Sequence, residues 1–346
     1  MSLLPQYLTI SHDPSGIIKS LIEKWQPDHV AILVDENTKK SCLPLLSNEG
    51  HLAIEIKSGE ENKTLRTCED VWSGLTQNQF TRKSLLINLG GGVIGDLGGF
   101  AASTFKRGIR FINIPTTLLS QVDASIGGKL GVDFGDLKNH VGLFKDPDHV
   151  IVDTQFLKTL NERELKSGFA EVLKHTLIAD SEQWETIQER NFEDQQWDEI
   201  IPKSIAMKQK VVDSDPLEGG LRKILNFGHT LGHAIESYFL RTPNRLLHGE
   251  AIAIGMILES HISVQKGWLS KVEFAKIKNY IGSIYPAPTH MPSLKDLMGY
   301  LLQDKKNDSN GINFSLLSKI GKCEYDIGVS SEMITKSLVA YSTELK

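Results

Sequence analysis

The sequence predicts an α/β plus all-α chain, with an α/β domain over residues 1–160 followed by a helical domain over 161–346. Three observations predict it. Short β-rich runs alternate with helical stretches through the first half. Most of those runs are continuously apolar, as strands buried on both faces of a parallel sheet must be. From about residue 162 the period changes to that of long amphipathic helices. With 346 residues, 40% of them apolar and 23% charged, the chain can bury a sizeable core and fold as two domains.

Taken in order, residues 30–34, 52–56, 85–89, 111–114 and 150–152 read as strands. Between them, 64–79 and 97–104 have the length and apolar spacing of the crossover helices that parallel strands require. Helical runs then follow at 162–179, 197–212, 225–239 and 249–266, with no convincing strand among them. No internal repeat or low-complexity linker separates the halves, so only the change of period near 155–162 marks the boundary.

Composition removes several function classes. The start lacks a basic segment leading into a long apolar one, and the longest apolar run, near 251–258, is far too short to span a bilayer. A cytoplasmic protein without a membrane partner is expected. Cys42, Cys68 and Cys323 are isolated, odd in number and without metal-ligand spacing, which excludes a zinc-cysteine site and leaves buried or incidental thiols. A net charge of −5 without a compensating basic stripe argues against nucleic-acid binding. An anionic ligand must therefore meet locally concentrated cations.

Two segments suggest chemistry. In Arg222-Lys-Ile-Leu-Asn226-Phe-Gly-His229-Thr-Leu-Gly-His233-Ala-Ile-Glu236, followed by His248-Gly-Glu250, three histidines crowd an otherwise apolar stretch. His229 and His233 share one face of a helix, and imidazoles gathered this way suit a divalent metal; separately satisfied surface histidines are the plainer alternative. In Leu89-Gly90-Gly91-Gly92-Val93-Ile94-Gly95-Asp96, glycines follow a strand and open a helix, where the backbone can approach a pyrophosphate, although a simple tight turn has the same composition. Asp35-Glu36-Asn37 and Ser58-Gly59-Glu60-Glu61-Asn62-Lys63 are polar turns beside strands, suited to ribose hydroxyls or to capping alone.

These strings, together with Arg107-Gly108, Ile114-Pro-Thr116-Thr117, Gln121-Val-Asp123, Ile126-Gly-Gly-Lys129, Lys138-Asn139, Gly168-Phe-Ala-Glu171-Val-Leu-Lys174 and Asp304-Lys305-Lys306, occur in one collinear order over nearly the whole chain. In that order they resemble the 3-dehydroquinate synthases of the sugar phosphate cyclase family. The resemblance implies an N-terminal Rossmann-like NAD-binding α/β domain, a C-terminal metal-binding helical domain and a lyase of the shikimate pathway, expected as a homodimer acting on a small sugar phosphate. It implies zinc or cobalt on Glu171, His229 and His248, with His233 instead touching substrate phosphate beside Lys129, Asn139 and Lys306, or Lys305 in its place. Arg107 would reach in, from a neighbouring subunit in one reading. Lys174, Lys208 and Arg222 would meet hydroxyls, carboxylate and ring. Asn226 also matches the family's substrate-side pattern, Asp123 and Lys138 are substrate-side polar groups, and Glu218 bonds substrate or supports the site. Asp35, Asn37, Glu60, Lys63, Gly91, Gly92, Val93, Asp96, Thr116 and Thr117 would hold NAD.

Three features depart from the family pattern. Leu130 replaces the threonine of Gly-Gly-Lys-Thr, Leu137 replaces the glycine of Gly-Lys-Asn, and the loop at 241–247 is short. The expectation is that the two leucines alter loop geometry rather than activity. Rival readings are another sugar phosphate cyclase, using sedoheptulose 7-phosphate or glucose 6-phosphate, a polyol dehydrogenase of the iron-dependent alcohol dehydrogenase group, and a non-catalytic binding relative.

Overall fold

The computed structural model describes residues 4–47, 50–135, 137–240, 242–303 and 312–343. The chain divides into two compact units, Met1–Leu165 with Ile201–Gln209, and Lys166–Ile200 with Lys210–Lys346. The 201–209 excursion lies inside one helix of unbroken period, so a boundary read from the change of period, at 160/161, cannot reveal it.

The first unit runs β1 (Leu8–Ile10), α1 (Pro14–Trp25), β2 (Val30–Asp35), α2 (Glu36–Ser41), β3 (Leu52–Ile56), α3 (Leu65–Gln77), β4 (Leu85–Gly90), α4 (Gly92–Thr104), β5 (Arg110–Pro115), β6 (Lys129–Phe134), β7 (Leu137–Phe144) and β8 (His149–Val152). Six of the strands form a parallel sheet in the order β1-β8-β5-β4-β2-β3. Period-two alternation sends Leu33, Leu86 and Phe111 to one face, against Val71 of α3 and Leu97 of α4, and Ile32, Ile87 and Ile112 to the other, against Ile18 of α1. Central β4 is buried at every residue, whereas edge strand β3 alternates. The chain steps from β2 outward to β3 and then back to β4 on the other side of β2, so the order reverses between β2 and β4. Ligands of open α/β sheets bind at the carboxyl ends of strands flanking such a reversal.

Two features of this unit differ from expectation. Strand β1, only three residues long, is too short to show a period. Residues 129–144, to which the sequence reading gave no strand, form an antiparallel hairpin of β6 and β7, with a bulge between Val132 and Phe134. Its alternation is diluted by Gly131 and Gly142, which face each other across the pair. Leu130 is consequently a core residue, 7% exposed and packed with Phe111 and the residues of α3 and α4. Leu137 opens β7 opposite Phe134 and is exposed.

The second unit begins with α5 (Glu162–Ala179), whose first residues belong to the other unit, and continues through α6 (Ser181–Gln188), α7 (Trp197–Ser214), α8 (His229–Phe239), α9 (His248–Gln265), α10 (Lys271–Ile284) and α11 (Leu294–Gln303). A hairpin of β9 (Ile312–Lys319) and β10 (Lys322–Val329), which the helical reading did not anticipate, precedes α12 (Ser331–Thr343). Helices α8 and α9 approach at backbone distance: a Cβ on Gly255 would lie 1.9 Å from the Gly228 carbonyl oxygen. All three cysteines are buried free thiols. Among the described residues, no helix is long and apolar enough to cross a membrane.

Candidate active site

In the first unit, the glycine loop sits at the sheet reversal. Gly90 ends β4, Gly91 is the N-cap of α4, and no side chain caps that helix, so its first amide groups point outward as an anion site would require. A Cβ on Gly91 would come within 3.1 Å of Thr117 Cγ2, so a side chain there would require the threonine to give way by a few tenths of an ångström. Thr116 is buried and its amide donates to the Gly90 carbonyl at 3.0 Å, while Thr117 Oγ1 lies 2.8 Å from Ser120 Oγ. Asp35, at the end of β2, closes a capping box on α2: its Oδ1 accepts from the Thr38 amide at 2.7 Å. The capping role left open by the sequence is therefore real, and Oδ2 takes no part in it. Asn37 is exposed on α2, and its sequence neighbour Glu36 lines an open cleft of about 510 Å³ with Ile56, Ser58, Glu61 and Asn62 among others.

Several predicted residues converge one step further along. Lys63 is 3% exposed, with Nζ 2.7 Å from Asp96 Oδ2 and 3.6 Å from Glu60 Oε1, and it donates to Asn139 Oδ1 at 2.6 Å. Burial disfavours its charge, yet the Asp96 and Glu60 carboxylates prevail and hold the ammonium above its usual range. The proposed cofactor side and substrate side thus share a hydrogen bond. Asn139 is in the left-handed region at φ 49°, and its amide donates to Asp133 Oδ1 at 2.7 Å. Lys129 and Lys138 stand exposed on the same hairpin. Lys208, 6% exposed, lies 2.8 Å from Asp123 Oδ1. Arg107 is exposed in a turn where Lys106, Arg107 and Gly108 have φ of 49°, 70° and 110° in succession.

In the second unit the sequence places two histidines at helix starts. His229 is the first residue of α8 and His248 the first of α9. Glu171 and Lys174, on α5, are 0% and 2% exposed and form an ion pair through Glu171 Oε2. Glu171 Oε1 faces Nε2 of His229 at 3.4 Å and Nε2 of His248 at 3.5 Å. Ligands about 2.1 Å from a tetrahedral zinc lie about 3.4 Å apart, so these separations would fit ligands of one ion. Each imidazole is oriented through its other nitrogen. His229 Nδ1 lies 3.1 Å from the Phe227 carbonyl oxygen and His248 Nδ1 lies 3.1 Å from Glu236 Oε2, which directs both Nε2 atoms inward. Burial, then the Lys174 charge, pushes His229 well below its ordinary pKa. Burial opposes charge on His248 too, but Glu171 and Glu236 push it up to about 10. His233 is exposed one turn along α8, its ring 5.0 Å from that of His229. The ligand atoms of His229, His233 and His248 also lie within 4.8 Å of one another.

The approach of α9 to α5 depends on one glycine. A Cβ at Gly249 would fall 1.9 Å from the Ser167 carbonyl oxygen, and the Gly249 amide donates to Ser167 Oγ at 3.0 Å. His248 precedes that contact directly and Glu171 follows it by one helical turn. Before α8, Asp215 accepts from the amides of Gly219, Gly220 and Arg222 and so shapes the turn that carries Glu218 and Arg222. Buried Arg222 donates to the Pro216 carbonyl at 2.7 Å, and Asn226 Nδ2 donates to Glu218 Oε1 at 3.0 Å. Lys306, with Lys305, lies outside the described residues. Sequence reasoning assigned no role to Glu236 or Ser167. Glu236 stood three residues after His233, a spacing that shares a helix face, but nothing local links Ser167 to a glycine 82 positions away.

Comparison with known proteins follows the same division. A family model described as 3-dehydroquinate synthase N-terminal matches residues 53–167, and one described as 3-dehydroquinate synthase C-terminal matches 168–307. A 3-dehydroquinate synthase of Parabacteroides distasonis is 38% identical over 347 residues, covering 97% of this chain and 98% of its own. A crystal structure of 2-deoxy-scyllo-inosose synthase complexed with carbaglucose-6-phosphate, NAD+ and Co2+ is similar, with a TM-score of 0.84, 26% identity and 96% and 95% of the two chains covered. The 2-epi-5-epi-valiolone synthase of Streptomyces hygroscopicus subsp. jinggangensis 5008, with NAD+ and Zn2+ bound, shares the fold at a TM-score of 0.86 and 24% identity, covering 97% and 96%. With both halves matched by the family and a relative aligned over almost its full length, the chain belongs to the 3-dehydroquinate synthase family.

Proposed function

We propose that this chain converts 3-deoxy-D-arabino-heptulosonate 7-phosphate to 3-dehydroquinate and inorganic phosphate, with NAD used and regenerated and one divalent metal, zinc or cobalt, bound at Glu171, His229 and His248. The observation that carries the proposal is the convergence of Glu171 Oε1 on the two histidine Nε2 atoms at 3.4 and 3.5 Å. One carboxylate and two imidazoles leave coordination positions open, as a catalytic site needs. Bound NAD would supply a reversible hydride acceptor and the metal a Lewis acid for substrate hydroxyls.

The chain's own residues supply binding and orientation. The uncapped α4 N-terminus and the Gly91–Val93 amides suit the cofactor pyrophosphate, and Asp35 Oδ2 and Asn37 suit ribose hydroxyls. Glu60, Lys63, Asp96, Thr116 and Thr117 complete the proposed cofactor contacts. For the substrate, Lys129, Lys138 and Asn139 in the first unit and His233 in the second are assigned to phosphate and its surroundings, with Lys306 outside the described residues. Lys174, Lys208, Asp123, Arg222, Asn226 and Glu218 are assigned to hydroxyls, carboxylate and ring. The departing phosphate takes the proton adjacent to the transient ketone, so no protein base is assigned to that step. A homodimer, with Arg107 contributed to a neighbour, and a cytoplasmic location belong to the same reading; the exposed, left-handed Arg107 supports the former.

The test is phosphate release and 3-dehydroquinate formation with NAD and zinc or cobalt, beside a chelated control. Metal-dependent product without net NADH is expected. Product from sedoheptulose 7-phosphate or glucose 6-phosphate alone would instead favour another cyclase. Net NADH from a polyol would favour a dehydrogenase, and cofactor binding without turnover a non-catalytic relative.

A further inference from the structure

Glu259 is the least exposed carboxylate-bearing residue of α9, at 0%, and lies eleven residues beyond His248. Both of its carboxylate oxygens reach a neighbouring helix. Oε2 accepts the Gly228 amide at 2.6 Å and Oε1 accepts the Leu231 amide at 3.0 Å. Those two amides flank His229, and Gly228, the N-cap of α8, brings no side chain to satisfy them. The carboxylate thus caps the first turn of a neighbouring helix, where unsatisfied N–H groups and the positive end of the helix dipole favour negative charge. One turn earlier on α9, Gly255 lets the Gly228 carbonyl come into backbone contact. The turn that presents His229 is therefore held from below by Gly255 and pinned at two amides by Glu259.

From this geometry we infer that Glu259 is a positioning residue for the metal site: it locks the His229-bearing turn of α8 to α9, the helix that carries His248, and so sets metal affinity. This rests on the ligand set proposed above. The logic is mechanical. His229 Nδ1 is already held by the Phe227 carbonyl, so the ring follows the backbone of 227–229, and that backbone is fixed at Gly228 by a bond from α9. A carboxylate is needed because both oxygens must accept. In Glu259→Gln, one acceptor becomes an NH2 group facing an N–H, and the turn must move.

The test is cobalt affinity of the full chain, read from the visible absorption of bound Co2+, with NAD affinity measured on the same samples. Removing an outer partner of a ligand typically costs 10–100-fold in metal affinity. Glu259→Gln is expected to weaken cobalt binding at least 10-fold and shift its absorption, with NAD affinity unchanged. Ser270→Ala, which removes the side-chain cap of α10, is the control for lost helix stability and is expected to bind cobalt as the parent does. A second measurement needs no variant. In the parent protein, zinc should slow hydrogen exchange of the Gly228 and Leu231 amides at least 10-fold and leave the Glu273 amide of α10 unchanged. Parent-like cobalt binding by Glu259→Gln, equal weakening by Ser270→Ala, or exchange at Gly228 and Leu231 indifferent to zinc would each overturn the inference. Absence of cobalt binding by the parent itself would instead overturn the ligand set.

Discussion

Replacing Gly249 by alanine should damage the proposed metal site, although this glycine supplies no ligand atom. The added Cβ would sit 1.9 Å from the Ser167 carbonyl oxygen, 2.6 Å from its carbonyl carbon and 2.6 Å from its Cα. These are backbone atoms of α5, which cannot swing aside as a side chain end can. An ordinary contact needs a separation of about 3.2 Å or more, so the start of α9 must retreat from α5 by roughly 1 Å. Overpacking of that kind costs about 1–3 kcal/mol, and the stretched bond from the Gly249 amide to Ser167 Oγ about 1 kcal/mol more. The same retreat moves His248 away from Glu171, lengthening a 3.5 Å edge beyond what one metal ion can bridge. Gly249→Ala should therefore unfold about 2–4 kcal/mol more easily in urea and bind cobalt at least 10-fold more weakly. Gly282→Ala is the matched control, because a Cβ on this α10 residue meets nothing within 4 Å; it should stabilise by about 0.5–1 kcal/mol through helix propensity. A Gly249→Ala protein with unchanged urea midpoint and cobalt affinity would refute the reasoning.

Other perturbations test separate parts of the structure. Leu130→Thr, which restores the family's residue, should destabilise by about 1–3 kcal/mol and leave turnover no higher, since Leu130 packs in the core of the first unit; urea titration and steady-state rates would show it. Lys106→Gly should raise stability by about 0.5–1 kcal/mol in thermal unfolding by relieving a left-handed non-glycine residue at φ 49°. His248 is pushed up to about 10 in the metal-free protein and is therefore protonated at neutral pH, whereas a ligand imidazole must be neutral. Zinc binding should accordingly release about one proton, with log affinity rising about one unit per pH unit between pH 6.5 and 8.5; calorimetry in buffers of different ionisation enthalpy measures this, and zero release would contradict it. The raised pKa also means that this group's contribution to the stability of the chelated protein is fully present below its ordinary value of 6.5 and lost as pH rises through about 10. Finally, Glu171→Gln should lower cobalt affinity at least 100-fold while His233→Gln changes it by less than about 5-fold and raises KM for the sugar phosphate.

The strands that bury both faces, such as β4, announced themselves because nothing in them dilutes the apolar run. The β6–β7 and β9–β10 hairpins did not, because their strands mix charge, glycine and exposed side chains, and a two-stranded sheet leaves most positions in water. The polar residues of both units could be picked out from motif strings. Their relations could not. Spacing alone favoured His229 with His233 as the metal pair, since four residues share a helix face, whereas the proposed ligand Glu171 comes from a helix more than fifty residues earlier. Leu130 was misread for a related reason: beside a lysine and two glycines it looks like loop, and only the pairing of β6 with β7 turns it inward.

Charge favours the proposed Glu171, His229 and His248 set over one made of His229, His233 and His248. Three neutral imidazoles around a divalent ion would leave two positive charges beside Lys174, itself 2% exposed, and near the positive ends of α8 and α9. Glu171 lies between these cations: one oxygen meets Lys174 and the other faces both Nε2 atoms. With its carboxylate as a ligand, the buried charges are partly neutralised and Lys174 keeps its partner. The residual positive charge, with exposed His233 at its edge, then suits an anionic ligand rather than a further protein ligand. If His233 were instead the third ligand, Glu171→Gln would weaken metal binding only through Lys174, and His233→Gln would abolish it, the reverse of the order argued from charge.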